Sequence, residues 1–414
     1  MRGRIAAIDI GSTKVTALVG VPDGNGVRVV GAGVSPSRGV EKGIIADLGA
    51  ATECLSEAIQ QAERTSGSRF ERALVAVGGP HLLSHNSRGE AAVAHPLRGV
   101  ESADLERALE EARTVALPPE RQVLHVVPRG YWLDGNVQVR DPLGMAAYRV
   151  EAEVHVVTAL ASTVRNVVRC IDNVGVEVAG LILSSLASGE AVLTENERDM
   201  GVALLDIGGG TTDIAVYLNG GVWHTASIAT GGNHVTNDLA VGLHCPVSLA
   251  EDAKLRFGHC RPEDLDASET VRVPGFDRNG ASDVLRRDVV EIVEARVEEI
   301  FSLVLRELRR SSYDGLLSAG VALCGGLANL PGIAELGSEV LGMPVRILTP
   351  QRVGGLLEVA GASAHATGTG LLLWGMRQPD ASNGTEEVGL LGKVGRVFRG
   401  ILPGRDKSLE GSSS

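Results

Sequence analysis

The chain has 414 residues, 44% of them hydrophobic, and a formal net charge of −12. That is enough apolar material for a substantial core in two or more domains, while the negative charge argues against nucleic acid as a main partner, because the counterion term would oppose binding. Five scattered cysteines (Cys54, Cys170, Cys245, Cys260, Cys324) without a C-x-x-C pair fit a reducing cytosol. Asp9 interrupts the first apolar run too early for a signal peptide, and no uncharged run reaches the length of a membrane span, so the expectation is a cytosolic chain with or without a peripheral anchor.

In chain order, RIAAIDIGSTKVTALVG (4–20) reads as a β-branched strand, a tight turn at Gly11 and a returning strand. Ala51 to Glu63 has helical periodicity. SADLERALEEARTVAL reads as a second helix, QVLHVV and YRVEAEVHVVTA as strands, and STVRNVVRCIDNVG as a helix again. GVALLDIGGGTTDIAVY (201–217) then repeats the opening pattern of apolar run, Asp-Ile-Gly, small or hydroxyl residues and apolar run. Residues 241–315 read as largely helical, with the longest candidate from Asp288 to Arg310. GVALCGGLANLPGIAEL (320–336) reads as strand, Gly-Gly turn and a helix with Pro331 in its first turn. After Trp374 a polar stretch with Pro and Gly reads as a linker over 377–388, followed by GLLGKVGRVFRGIL (389–402).

The repeat carries the chemistry. Asp9 and Asp206 lie 197 residues apart, about half the chain, which suggests two related halves facing each other across a cleft. Gly11, Gly208, Gly209 and Gly210 allow close backbone approach, so that successive N–H groups can converge on phosphate oxygens. Ser12, Thr13, Thr211 and Thr212 add hydroxyls, and Lys14 adds a point charge. One aspartate per hairpin, Asp9 and Asp206, suits Mg²⁺ held mostly through its retained waters. Ordinary glycine hairpins in a β-rich core are the bland reading of either stretch alone; two in register make it the weaker one. The Gly325-Gly326 turn running on into Leu327 suits close approach to a nucleotide, and no P-loop pattern occurs.

The pairs His244-Cys245 and His259-Cys260 flank a helical pattern and lack zinc-ligand spacing. In the terminal peptide, Leu390, Leu391, Val394, Val397, Phe398, Ile401 and Leu402 fall within an arc of about 140° on a helix, with Lys393, Arg396 and Arg399 opposite. Such a peptide can pack on its own protein, enter a partner's groove or lie on an anionic membrane surface; the linker and the cations favour the last.

These stretches, with ATGGNHVTNDLA (229–240), AEDAKLRFG (250–258) and ERALVAVGGPHLLSHNSRG (71–89), resemble in order and spacing the actin/Hsp70/sugar-kinase ATPase superfamily and, within it, the bacterial cell-division FtsA family. The resemblance implies an α/β, actin-like two-lobed ATPase fold with an inserted subdomain and a C-terminal amphipathic helix. The implied layout is a first lobe over 1–82 with about 163–197 and 356–376, the insert over 83–162, a second lobe over 198–240 and 316–355, and its cap over 241–315. Beyond 389–402, residues 403–414 form a tail whose SLEGSSS reads as appended sequence. The resemblance further implies ATP with Mg²⁺, with Gly232, Glu251 and Lys254 near the ribose or adenine and Gly326 over the base. It also implies self-assembly into a filament, tethering of the FtsZ C-terminal tail, other divisome partners, and a peripheral place on the cytoplasmic face of the membrane at the division site. Arg296 and Arg306 on the long helix are candidates for the FtsZ contact. A pilus-assembly relative and a sugar-kinase-like phosphotransferase are the alternatives. One departure stands out: Ser184-Ser185 replaces the family's frequent Glu-Pro, so a water-ordering carboxylate is missing, hydrolysis is expected to be slow, and Glu190 is the nearby candidate for its role.

Overall fold

The computed structural model describes residues 3–274 and 281–377; the expected terminal helix over 389–402 and all but the first residue of the linker lie outside them. Two sheets share one topology. In the first, Ile5–Ile10 pairs antiparallel with Lys14–Asp23 and parallel with Arg72–Val77; Gly26–Pro36 flanks one side, Glu177–Leu183 the other, and Val353–Gly355 adds an edge. In the second, Val202–Ile207 pairs antiparallel with Thr212–Leu218 and parallel with Val321–Cys324, flanked by Gly221–Ile228 and Val345–Ile347. The register repeats too, with Asp9 opposite Thr16 and Asp206 opposite Asp213.

Local sequence explains how helices close these sheets. Leu48–Ser66 starts at Asp47, whose side chain accepts from the Ala50 N–H at 3.1 Å, and stops at Gly67 in the left-handed region (φ 68°). It buries Ala51, Cys54, Leu55, Ala58 and Ala62 at i, i+3 and i+4 spacing against Gly26–Pro36. Gly33 is required there, because a Cβ would collide with the Ala58 carbonyl. Ser184–Val192 and Ala366–Met376 pack on each other and close the other face, and every residue of the former is buried. In the second lobe Arg286–Ser311 buries a stripe from Val289 through Val293, Val297 and Phe301 to Leu308, and Phe301 fills the space that Gly337 leaves open. The cap region also holds a two-stranded hairpin, Thr270–Pro274 with Ala281–Leu285, whose short alternating runs carry no strong signal.

Between residues 83 and 160 the chain forms an antiparallel sheet, ordered Leu83–Ala92, Arg149–Leu160, Arg121–Leu133 and Val137–Val139, with Ser102–Arg113 on one face. Its chain connections run to the first lobe, yet it also clasps the second. The Ser84 hydroxyl donates to the Thr225 carbonyl at 2.7 Å, His155 Nε2 lies 2.9 Å from the Thr225 hydroxyl, and the Arg129 guanidinium lies 4.1 Å above the Trp223 ring. One expectation is corrected. The helix after Gly325-Gly326 begins at Ile333, not around Pro331: a 3₁₀ turn over Leu327–Asn329 comes first, and Gly332 at φ 78° breaks the path between them.

Candidate functional site

The two Asp-Ile-Gly turns close identically. The Gly11 N–H donates to the Lys14 carbonyl at 3.0 Å, and the Gly208 N–H to the Thr211 carbonyl at 2.9 Å. They face each other across the lobes: a Cβ on Gly209 would strike the Thr13 methyl, and one on Gly210 would strike the Ser12 hydroxyl. Glycine here lets the two turns approach each other directly, with the Thr13 and Ser12 side chains filling the space that a Cβ would take. The N-terminus of Gly232–Gly242 abuts the second turn, with the Gly232 N–H on the Gly208 carbonyl at 2.9 Å and the Asn233 N–H on the Gly209 carbonyl at 2.7 Å. Those carbonyl oxygens, which would repel an anion, are thereby occupied, and the positive end of a helix stands behind the turn.

Three carboxylates lie at the base of this cleft. Burial and the Asp206 charge push Asp9 up to about 6, against the pull of Lys14. Asp206 is raised by burial, partly offset by the Ser188 hydroxyl and by the Thr367 hydroxyl at 3.0 Å. Asp213, raised to about 7 by burial with Asp206 and Asp9 adding to it, is the residue that motif reading missed. Its signal was the repeat itself, since it holds the register position of Thr16. Lys14 is the cation beside them, its own pKa lowered by burial and raised back by Asp9 and Asp206; its Nζ also lies 3.2 Å from His365 Nε2. Three acids against one lysine leave a deficit of positive charge.

The remaining predicted residues divide. Lys254 is buried and its ammonium donates to Glu251 at 2.6 Å, to the Thr236 hydroxyl at 2.9 Å and to the Gly232 carbonyl at 3.3 Å, so Gly232, Glu251 and Lys254 form one wall. Leu327 is buried against Gly232, whereas Gly326 is exposed with open space beside it. Thr211 is within 3.5 Å of Asp213, and the Thr212 hydroxyl donates to the Thr230 carbonyl at 2.8 Å. Glu190 is corrected. It lies two residues beyond Ser188, on the opposite side of the helix from Asp206, and its buried carboxylate is held by Arg198, Arg352 and Arg377. It faces away from the cleft; Ser184 is the residue that stands there, with its hydroxyl and Asp213 both within 3.0 Å of where a Gly78 Cβ would be. Arg296 is committed to Asp238 and Glu299, while Arg306 is exposed.

Comparison with known proteins decides the family. Residues 203–370 match the family model of cell division protein FtsA, and residues 79–158 that of the SHS2 domain inserted in FtsA. The cell division protein FtsA of Pseudomonas aeruginosa is 41% identical over 375 residues, covering 90% of this chain and 89% of that protein. The chain belongs to the FtsA family. The solved PilM–PilN type IV pilus biogenesis complex aligns with TM-score 0.63 at 16% identity, over 90% of this chain and 98% of that one. MreB5 of Spiroplasma citri bound to ADP aligns with TM-score 0.53 at 16% identity, over 89% and 95%. These show the actin-like fold, and membership of the FtsA family favours a cell-division protein over the pilus-assembly and sugar-kinase alternatives. The FtsA family and the actin-like ATPase fold together imply nucleotide binding.

Proposed function

We propose that this FtsA-family protein binds ATP with Mg²⁺ between its two Asp-Ile-Gly hairpins, assembles into filaments and tethers the FtsZ ring to the cytoplasmic face of the membrane at the division site. The observation that carries the nucleotide reading is the opposition of Gly209 and Gly210 to Thr13 and Ser12 above a base of three carboxylates. In this reading the turn N–H groups and Lys14 bind the phosphates, and Gly232, Glu251, Lys254 and Gly326 bracket the nucleoside.

Magnesium, when bound, supplies the positive charge that phosphates and carboxylates both lack. Among the described residues no three His, Cys, Asp or Glu side chains group closely enough to hold an ion directly. That fits Asp9 and Asp206 acting through metal-bound waters. Asp213, titrating near neutrality, is placed to accept a proton, while Ser184 offers no second carboxylate. Turnover is therefore slow.

Among the described residues no helix is long and apolar enough to cross a membrane. The tether rests on the sequence of 389–402, whose apolar arc and three cations suit an anionic surface. One such peptide binds weakly, and a filament presenting many binds firmly. Two measurements test this. Asp206→Ala should abolish most of the Mg²⁺-dependent ATP affinity in calorimetry, and unchanged affinity would remove the cleft assignment. Deleting residues from Gly389 onward should leave a folded, ATP-binding protein that no longer sediments with anionic liposomes; undiminished sedimentation would remove the tether.

A further inference from the structure

A second cavity, of about 650 Å³, opens away from the nucleotide cleft, where the inserted sheet, the Thr212–Leu218 and Gly221–Ile228 hairpin of the second lobe, and the two packed helices of the first lobe meet. Its chemistry is lopsided. The Glu190 carboxylate receives Arg352 and Arg377 at 2.7 Å each and Arg198 at 3.3 Å, so one buried negative charge faces three guanidiniums. Arg129 and Arg140 extend the cationic wall from the insert, and Arg140 is largely exposed with Asp199 as its ion-pair partner at 3.3 Å. Glu195 also lines the space, so four arginines and three acids line it, and Arg129 is further paired with Glu153 at 3.2 Å.

The lining also holds polar atoms without partners. The Arg129 Nε, the Arg198 Nε and the Tyr131 hydroxyl are buried without a hydrogen-bond partner, and all three residues line this cavity. Arg129 and Tyr131 are more than nine-tenths buried. Guanidiniums are the groups that bind carboxylates in paired geometry, and Arg140 and Arg377 have side chains 73% and 47% exposed at this cavity. Leu186, Tyr217 and Trp374 supply an apolar floor.

We propose that this cavity is a carboxylate-receiving site, and that its occupant is the acidic stretch of the same chain that follows Arg377, with Asp380, Glu386 and Glu387 as the ligating residues. Arg377 itself lines the cavity, so the segment leaves from its rim. Asp380 is three residues on, within roughly 10 Å, and Glu386 and Glu387 come within roughly 30 Å of chain. Tethering gives this segment an effective concentration that a free anion lacks. Docked there, the segment ties the insert to both lobes and fixes the side of the molecule from which residues 389–402 depart. The site is independent of the nucleotide reading.

The test is hydrogen exchange on the full-length chain. Neutralising the segment as Asp380→Asn, Glu386→Gln and Glu387→Gln together should speed exchange of the amides in Arg129–Tyr131 and Asn219–Val222 about tenfold, with the Leu48–Ser66 helix unchanged. Arg140→Gln, at an exposed position that does not threaten folding, should reproduce at least a threefold part of that effect, and so should raised salt. Adding the synthetic peptide 378–388 to the neutralised protein should restore protection, but not to a protein that also carries Arg140→Gln. Unchanged exchange in the neutralised variant overturns the proposal. So does protection that falls on dilution, which would make the occupant a second copy of the chain.

Discussion

The two hairpins at the heart of the molecule share a strand order, a turn hydrogen bond and an aspartate, and they differ in what surrounds that aspartate. In the first lobe Asp9 stands across the ladder from Thr16, and Lys14 follows the turn. In the second lobe Asp206 stands across from a further acid, Asp213, and no cation occupies the place of Lys14, where Thr211 sits. The second turn is braced by the helix at Gly232, while the first is met by the Gly43 N–H on the Ser12 hydroxyl at 3.1 Å. A duplicated frame has thus been divided into a hairpin that brings positive charge and one that brings carboxylates and braced backbone. In the proposed reading neither is a site alone, and the cleft needs both.

The sharpest way to break this division is to erase it. Thr16→Asp would give the first hairpin the second's acid pair. Thr16 is buried with its hydroxyl unpartnered, so the new carboxylate would be desolvated beside Asp9. A loss of several kcal/mol is expected, read as a drop in Tm of more than 10 °C; a change under 3 °C would show that the two positions are not distinguished by charge. The reverse exchange, Asp213→Thr, should raise the Tm of the nucleotide-free protein at pH 8.

Next in size is a test within one turn. A Cβ on Gly208 would sit 3.5 Å from the Thr211 carbonyl, an ordinary contact, whereas on Gly209 it would collide with Thr13 of the opposite lobe. Gly209→Ala should weaken nucleotide binding about 100-fold, equivalent to about 2.7 kcal/mol, and Gly208→Ala less than threefold. Equal effects would mean that the lobes do not meet through this turn.

A smaller effect follows from the carboxylates. Asp9 at about 6 and Asp213 at about 7 both bind protons in the folded state at pH values where the unfolded chain, near 3.8, has lost them. Between pH 4 and 7 the folded state therefore holds more protons, and stability from this cluster falls as pH rises. Denaturant titrations without nucleotide should show that decline, and Asp213→Asn should reduce it. A stability that rises through this window in the wild-type chain and stays unaltered by the substitution would refute the charge deficit.

Much of this cleft was readable because it depends on local chemistry: glycine freedom, strand alternation and a repeated Asp-Ile-Gly specify each hairpin from its own residues. The actin-like arrangement was readable from motif order. What escaped was set by partners distant in sequence. Asp213 gains its importance from burial between the lobes, with Asp206 and then Asp9 adding to it, and Thr367 and Ser188 matter because the Ala366–Met376 helix packs across the first lobe. The pairing of Arg296 with Asp238, 58 residues earlier, is likewise set by the fold. Glycine at position 332 redirects the chain after Leu327, a choice that periodicity around Pro331 did not expose.

Glu190 gives the smallest expected effect on the site, and it is informative for that reason. It neighbours the cleft in sequence, and its helix does contribute to it, but through Ser184 and Ser188. The side chain of Glu190 instead collects Arg198, Arg352 and Arg377. Glu190→Gln should therefore leave Mg²⁺-dependent nucleotide affinity within twofold. It should nonetheless lower the Tm, because Arg198, whose side chain is 16% exposed, loses its buried anion, while Arg352 and Arg377, at 40% and 47%, keep part of their hydration. Ser188→Ala, on the facing side of the same helix, should do the opposite, altering nucleotide affinity several-fold with little change in Tm, since it removes a hydroxyl that holds down the pKa of Asp206. A Glu190→Gln protein with full stability and lost nucleotide binding would reverse the assignment and return Glu190 to the cleft.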